Sequence, residues 1–139
     1  MPYTFELDSL NRILLGRFEG QVTDEELRAY RRDSIKCILS IEPRAGVTDL
    51  SAVTSFAVSQ QTIIELARIR PAIPGQAPVR IIIAPSPHVF GMARMFELAG
   101  QDAHPVVNVV HTEQEAWAIL GVTEPQFKPY KAESGMASA

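Results

Sequence analysis

The chain has 139 residues and a formal net charge of −3; 46% of its residues are hydrophobic and 21% are charged. These values are typical of one globular domain with a buried core. A slightly acidic chain without a basic stripe lacks the positive charge that neutralises phosphates, so we expect no nucleic-acid partner. No apolar run approaches the roughly 20 residues that span a bilayer, so we expect no integral membrane segment.

The single cysteine and the first residues predict a cytoplasmic location. Cys37 has no second cysteine with which to form an internal disulfide, which fits a reducing compartment. The opening sequence MPYTFELDSLNR lacks the basic segment and apolar run of a secretory signal. Cys37 also falls on the apolar face of a predicted helix, so we expect a buried thiol rather than a reactive one.

A β-hairpin and a helix are predicted for the first 40 residues. Alternating apolar residues predict a half-buried strand over 2–7 and a second strand over 12–19. Thr23 and Glu26 have the spacing of a capping box, which starts the first helix. Because acidic residues intersperse its basic residues, we expect these to lie on a solvated face: Arg28, Arg31 and Arg32.

Strands and helices alternate in the middle of the chain. An apolar strand is predicted over 45–50, followed by a loop over 51–58 and a helix that Ser59 caps and that ends near Arg70. The stretch 79–84, VRIIIA, is apolar on both sides apart from one arginine, which is typical of a central parallel strand.

The last two helices have clear start signals. Ser86 precedes Pro87 at the first position of the third helix. Thr112 and Glu115 form the capping box of the fourth. Between these helices, VVNVV over 106–110 is predicted to be the last strand.

The predicted order is β-β-α-β-α-β-α-β-α in a single domain over 1–122. Residues 123–139 show no periodicity and are expected to form a mobile C-terminal tail. Strands that alternate with helices form parallel βαβ units with right-handed crossovers, so the fold class is α/β. The functional crevice of such a sheet lies beyond the carboxyl ends of its strands, where we expect Asp49, Ser51 and Ser59.

Two sets of local sequences resemble the STAS and SpoIIAA-like superfamily. Asp49-Leu50-Ser51-Ala52-Val53 is similar to the D-[LF]-S-x-V segment that precedes the second helix in those proteins. The strand 79–84, with FGMARMF over 90–96 and EAWAIL over 115–120, is similar to small bacterial STAS-like proteins without a settled function. The superfamily includes anti-sigma-factor antagonists and the cytoplasmic domains of sulfate transporters.

The resemblance implies a SpoIIAA-like fold, helices mainly on one face of the sheet, and a non-enzymatic interaction or regulatory module. In the antagonists the second helix begins with Asp-Ser-Ser-Gly, and a partner kinase phosphorylates the first serine. Here Ala57-Val58-Ser59-Gln60 stands at that place, without the acidic residue and the glycine. Ser59 is therefore the phosphorylation candidate, since a helix N-terminus favours a phosphate, although its role as an N-cap explains the same serine.

Helices on one face leave the other face of the sheet to be covered. The strands 79–84 and 106–110 carry apolar residues on both sides, and an apolar face of this size does not stay in water. We therefore expect either a homodimer or packing by the hairpin to cover it.

Motifs for catalysis and cofactor binding are missing from the sequence. It has no H-x-x-x-H or C-x-x-C spacing for zinc and no glycine-rich nucleotide motif, so we expect no metal and no cofactor. A serine-type hydrolase is the least favoured alternative, because no G-x-S-x-G elbow presents a nucleophile. Its residues would come from Ser51 or Ser86, His88 or His111, and Asp49. We predict that the chain is not an enzyme.

The third helix offers a further alternative, the binding of a small amphipathic or lipid-like ligand. Arg94 could hold an anionic head group near Ser86, or pair with Glu97 three residues on. The CRAL-TRIO lipid-binding domains are fold relatives, which is an analogy of fold only. A protein partner could instead contact Phe90 and the neighbouring methionines. The candidates for binding a ligand or a partner are Asp49, Ser51, Ser59, Ser86, His88, Phe90 and Arg94.

Overall fold

A six-stranded sheet with four helices organises the residues that the computed structural model describes, which are 2–69, 78–103 and 107–131. The strand order is β5-β4-β3-β2-β1-β6. The strands are β1 (Tyr3–Asp8), β2 (Ile13–Thr23), β3 (Ala45–Ala57), β4 (Val79–Ile83), β5 (Val107–Val110) and β6 (Lys128–Pro129). The helices are α1 (Asp24–Ile41), α2 (Gln60–Ala67), α3 (Pro87–Ala99) and α4 (Glu113–Leu120).

The sheet is mostly parallel, as predicted. Strands β2 to β5 pair in parallel, whereas β1 pairs antiparallel with β2 in the predicted hairpin. The fold class is therefore confirmed. Helix α2 ends at Ala67, whereas its end was predicted near Arg70. Arg70 lies outside the described residues, and so does Val106, the first residue of the last predicted strand.

The predicted start of each helix is confirmed. Thr23 and Glu26 form the capping box of α1, and Thr112 and Glu115 form that of α4. Ser59 caps α2, because its side chain accepts from the backbone N–H of Thr62. These caps are local in sequence, which is why spacing alone predicts them.

Helices α1, α2 and α3 pack against one face of the sheet and α4 packs against the other. Cys37, Ile63 and Val89, one from each of the first three helices, belong to the core on the first face. The burial predicted for Cys37 is confirmed, and this burial raises the pKa of its thiol to about 11. Ala116 and Leu120 of α4 belong to the core on the second face. Helices mainly on one face, as predicted, are thus confirmed.

The second face is covered within the chain itself. Besides Ala116 and Leu120, the partly buried side chains of Trp117 in α4 and of Val122 and Phe127 after it pack against this face. The homodimer was predicted because this face was expected to be open, so that reason for a dimer no longer holds. The oligomeric state itself stays a prediction.

Strands β2 and β3 are longer than predicted. Strand β2 continues to Thr23 instead of ending at residue 19, and β3 continues to Ala57 instead of giving way to a loop at Ser51. The two strands pair with each other in this extension, with register shifts on either side of Gly20, which has φ +74°. Because this pairing joins residues far apart in sequence, the local pattern of polar residues predicted a loop instead.

Residues beyond 122 contact the sheet, while the domain boundary at residue 122 stays a prediction. Lys128 and Pro129 pair with β1, and the backbone N–H of Tyr130 donates to Phe5 O at 2.9 Å. The buried carboxylate of Asp8 accepts from the N–H of Gln126 at 3.1 Å. Residues 132–139 of the predicted tail lie outside the described residues.

Tyr30 of α1 lies flat against the sheet at Gly16. Its ring stacks on Phe5 at 5.3 Å and contacts Phe18 at 4.6 Å, and its hydroxyl forms a 2.8 Å hydrogen bond with Thr48 Oγ1. A Cβ atom at Gly16 would lie 2.6 Å from Tyr30 Cε1, which is closer than real Cβ contacts. The position of Tyr30 therefore depends on the absence of a side chain at residue 16.

Gly16→Ala should lower the free energy of unfolding by about 1–3 kcal/mol, because a methyl group here overpacks the core against Tyr30. Urea denaturation followed by circular dichroism measures this loss. Gly46→Ala is the matched control on the adjacent strand, since a Cβ there meets no atom within 4 Å. Equal losses for the two variants would show that the tyrosine does not depend on Gly16.

Candidate functional site

Ser59 links the start of α2 to the start of α1. Its backbone N–H donates to Asp24 Oδ1 at 2.7 Å, and its hydroxyl donates to Asp24 Oδ2 at 3.1 Å. The pKa of Asp24 is lowered, chiefly because it accepts the backbone hydrogen bond of Ser59. The N-terminus of α2 has no acidic residue in its own first turn, so this carboxylate from α1 supplies the negative charge that the helix dipole favours.

The first turn of α3 lies beside the end of β3. His88 is exposed, its Nε2 lies 3.4 Å from Phe56 O, and its ring is edge-on to the Phe56 ring at 6.4 Å. Ser86 is also exposed and occupies the N-cap position, but its hydroxyl makes no capping hydrogen bond. The first turns of α2 and α3 thus begin at the carboxyl ends of the adjacent strands β3 and β4, where the crevice was predicted.

Phe90 and Arg94 do not form a common site with Ser86. Phe90 stacks on the exposed ring of His111, with the ring centroids 4.1 Å apart and nearly parallel. Arg94 forms a salt bridge with Glu97, the alternative that the sequence left open. Arg94 is therefore a surface residue whose charge is already paired.

Asp49 and Ser51 belong to the other face of the sheet, with Arg17 of β2. The Asp49 carboxylate accepts from the backbone N–H and the hydroxyl of Ser51, at 2.9 and 2.6 Å. Its second oxygen accepts from Arg17 Nη1 at 2.7 Å. Arg17 Nε also donates to Glu6 at 2.7 Å, and its Nη1 lies 3.4 Å from Glu113 at the start of α4. We name these four charged residues, Glu6, Arg17, Asp49 and Glu113, the Arg17 cluster.

The Arg17 cluster ties three strands and α4 together. Burial alone would lower the pKa of Arg17, but the hydrogen bond and charge of Glu6, followed by the charge of Asp49, raise it above its ordinary value. The arginine therefore stays charged and holds Asp49, whose side chain is only 5% exposed. Because every charged atom of Asp49 has a partner, the cluster is a structural brace rather than a vacant binding site.

Other chemistry is not assembled in the part of the chain that the structure describes. Within residues 2–69, 78–103 and 107–131, no group of three histidine, cysteine or acidic side chains could hold a metal ion. Ser51 donates to Asp49, His88 approaches a backbone carbonyl, and His111 stacks on Phe90, so the serine–histidine–aspartate set is not formed there. In the described ranges no helix is both long and apolar enough to cross a bilayer.

A small cavity lies between α1, α2, α3 and the sheet. Its volume is about 70 Å³, and Leu27, Ile63 and Met92 are among the side chains that line it. A pocket for a lipid-like ligand would need several hundred Å³. Arg31 and Arg80, which are not among the residues predicted to form a site, also line the cavity.

Arg31 corrects the prediction that the basic residues of α1 lie on a solvated face. It is buried at 9% exposure, and burial lowers its pKa. The helical spacing could have shown this, because Arg31 follows Tyr30 directly and precedes Ser34, and both of these are buried.

The arrangement of these elements defines the SpoIIAA-like fold, as the resemblance implied. A solved structure with this arrangement, described as the anti-sigma factor antagonist SpoIIAA in its unphosphorylated form, matches 82% of this chain and 93% of its own length, with a TM-score of 0.54. The identity over that match is 14%, so the likeness establishes the fold alone. No protein-family model and no curated protein matches the sequence significantly.

Asp49→Asn should lower the free energy of unfolding by about 1–3 kcal/mol, because it removes the buried charge that pairs with Arg17. Glu113→Gln is the matched control on the same arginine. Because the Glu113 side chain is 42% exposed, the loss should stay below about 1 kcal/mol. Urea denaturation followed by Trp117 fluorescence compares them. Equal losses would mean that burial does not decide which carboxylate braces Arg17.

Proposed function

We propose that the protein is a regulatory module that binds another protein through the first turns of α2 and α3. We name this surface the α2–α3 rim and define it by Ser59, Gln60, Ser86, Pro87 and His88. The fold supports a module of this kind, and the solved structure of the same fold is that of an anti-sigma factor antagonist. We propose further that the chain is not an enzyme and acts in the cytoplasm, where the buried thiol of Cys37 would stay reduced.

The observation that carries the proposal is the exposure of polar groups at the carboxyl ends of β3 and β4. All five residues of the α2–α3 rim are exposed. The Ser86 hydroxyl makes no capping bond, so it is available to a partner. The contact of His88 with Phe56 holds the start of α3 against the end of β3, so the two first turns form one continuous surface. A surface whose parts are fixed in place loses little entropy on binding.

Ser59 is the residue through which this surface would be regulated. Both oxygens of Asp24 accept hydrogen bonds from it, and its hydroxyl also lies 3.0 Å from Thr62 Oγ1. A phosphate on Ser59 would place up to about two further negative charges beside Asp24. Modification would therefore break the link between α1 and α2, although the N-terminus of α2 by itself favours an anion.

Ser59→Asp should lower the free energy of unfolding relative to Ser59→Asn. Both replacements keep an N-cap of similar quality, so the difference reports the added charge beside Asp24. In an Asp24→Asn background this difference should shrink or reverse, because the repulsion is gone and only the helix dipole remains. Urea denaturation at low ionic strength measures the four variants. A difference that is the same in both backgrounds would exclude Asp24 as the partner of a charge at residue 59.

Site-specific photo-crosslinking tests the α2–α3 rim in the source cell. A photoreactive amino acid at Gln60 or His88 should capture a discrete partner, and the same group at Ile119, which is exposed on α4, should not. The captured protein is identified by mass spectrometry, purified and titrated into the full chain by calorimetry. Arg94→Glu, outside the rim, should leave its affinity unchanged, whereas Ser86→Trp should weaken it at least about tenfold. Capture with equal yield from Ile119 would refute the rim as the binding surface.

Three further expectations concern a small ligand, hydrolase activity and a homodimer. The small-ligand alternative through Arg94 lacks a free charge, because Arg94 is paired with Glu97. The hydrolase alternative lacks a contact between a serine and a histidine in the described ranges. Sedimentation velocity over a range of concentrations decides the homodimer, and a monomer throughout would remove it.

A further inference from the structure

Arg80 is a cation under the helices with an unsatisfied hydrogen-bond donor. It lies on β4, where Ile81 and Ile83 belong to the core on the α4 face, so Arg80 points to the opposite face, beneath α3. Its Cζ atom lies 5.2 Å from the centre of the Phe96 ring, and its Nη1 atom is buried and has no hydrogen-bond partner among the described residues. No carboxylate of the described ranges forms a salt bridge with it.

The cavity beside Arg80 contains a second arginine and two hydroxyl groups. Arg31, Tyr30 and Thr48 line the 70 Å³ cavity together with Arg80. The same four residues line an adjoining cavity of about 30 Å³, so the polar groups stand between the two spaces. Tyr30 and Thr48 share one hydrogen bond of 2.8 Å, which leaves one of their two hydroxyl hydrogens free to donate elsewhere.

Positive charge accumulates at this place. Burial and then the neighbouring charge of Arg31 lower the pKa of Arg80 to about 10, which still leaves the guanidinium charged at neutral pH. Burying a charge without a counter-ion is costly, and two arginines in one low-dielectric space repel each other. Arg17, by contrast, has three carboxylate partners and acts as a structural brace. Arg80 has no such partner in the described ranges, so we do not assign it the same role.

We propose that the cavity binds a small organic carboxylate with a short apolar chain. The carboxylate would accept from Arg80 Nη1 and from the free hydroxyl hydrogen of the Tyr30–Thr48 pair, since an arginine fork matches a carboxylate in shape and charge. The apolar chain would lie against Leu66, Met92 and Ile82. These walls favour a carboxylate with a hydrocarbon chain over an inorganic anion, and the volume excludes a full-length lipid. This site does not depend on the α2–α3 rim.

Titration of the full chain with sodium propionate, followed by thermal unfolding and by NMR of labelled methionine methyl groups, tests the proposal. Propionate should raise the melting temperature and shift the Met92 methyl signal, because Met92 lines the cavity. Propanol tests whether the charge is needed, and inorganic phosphate tests whether the apolar chain is needed. Both should bind at least about tenfold more weakly than propionate. Equal binding of propanol, or of phosphate, would overturn the carboxylate.

Arg80→Met separates this site from a general effect of salt or fatty acid on the protein. The variant keeps an apolar stem of similar length, and removing an unpaired buried charge should leave the ligand-free protein at least as stable. Its affinity for propionate should fall at least about tenfold. Arg94→Met, on the surface of α3, is the control and should bind as the wild type does. Unchanged affinity in Arg80→Met, or equal losses in both variants, would refute the site.

Discussion

Tyr30 joins α1 to the sheet, and the arrangement of the helices on that face depends on it. Its ring lies on the backbone of Gly16, stacks on Phe5 of the hairpin and bonds through its hydroxyl to Thr48 of β3. One side chain therefore sets the distance of α1 from three strands. Tyr30 also lines both cavities, so its ring helps to set the size of the space between the helices and the sheet. Because the rest of the core is closely packed, a change in this contact would shift the neighbouring side chains.

The parts of the fold that were predicted from the sequence depend on residues that lie close together in the chain. A capping box needs only Thr23 and Glu26, and a buried strand needs only a short apolar run such as 79–84. The extension of β2 and β3 could not be predicted in this way, because Ala52 and Ala57 pair with Glu19 and Thr23, about thirty positions away in the sequence. The same holds for the covered second face. Whether α4 lies on one side of the sheet or the other is a matter of packing among Ala116, Leu120 and strands far from them in sequence.

The candidate site likewise combines contacts between residues close in sequence with contacts between residues far apart. The contact of Asp49 with Ser51 spans two residues, so the motif that contains both already placed them together. Its third member, Arg17, is 32 residues away, and no spacing rule connects them. Ser59 was predicted correctly as a cap, but its second partner, Asp24, comes from another helix. Arg80 was visible in the sequence as the exception in an apolar strand, and that exception was the available signal for the cavity.

The arginines on the two faces of the sheet have different surroundings, and this difference connects the structure to its proposed functions. On the α4 face Arg17 is surrounded by carboxylates and acts as a fixed brace. On the other face the positive charge of Arg80 rests on the ring of Phe96, which belongs to α3. The same helix carries His88 of the α2–α3 rim at its other end. An anion bound beside Arg80 would contact α3 through Met92, one turn from His88, and a small shift of a packed helix is how a filled cavity is transmitted to a surface. The proposed ligand cavity and the α2–α3 rim therefore share α3. Whether binding at one of them changes the other depends on how rigidly Tyr30 holds α1 against the sheet beside them.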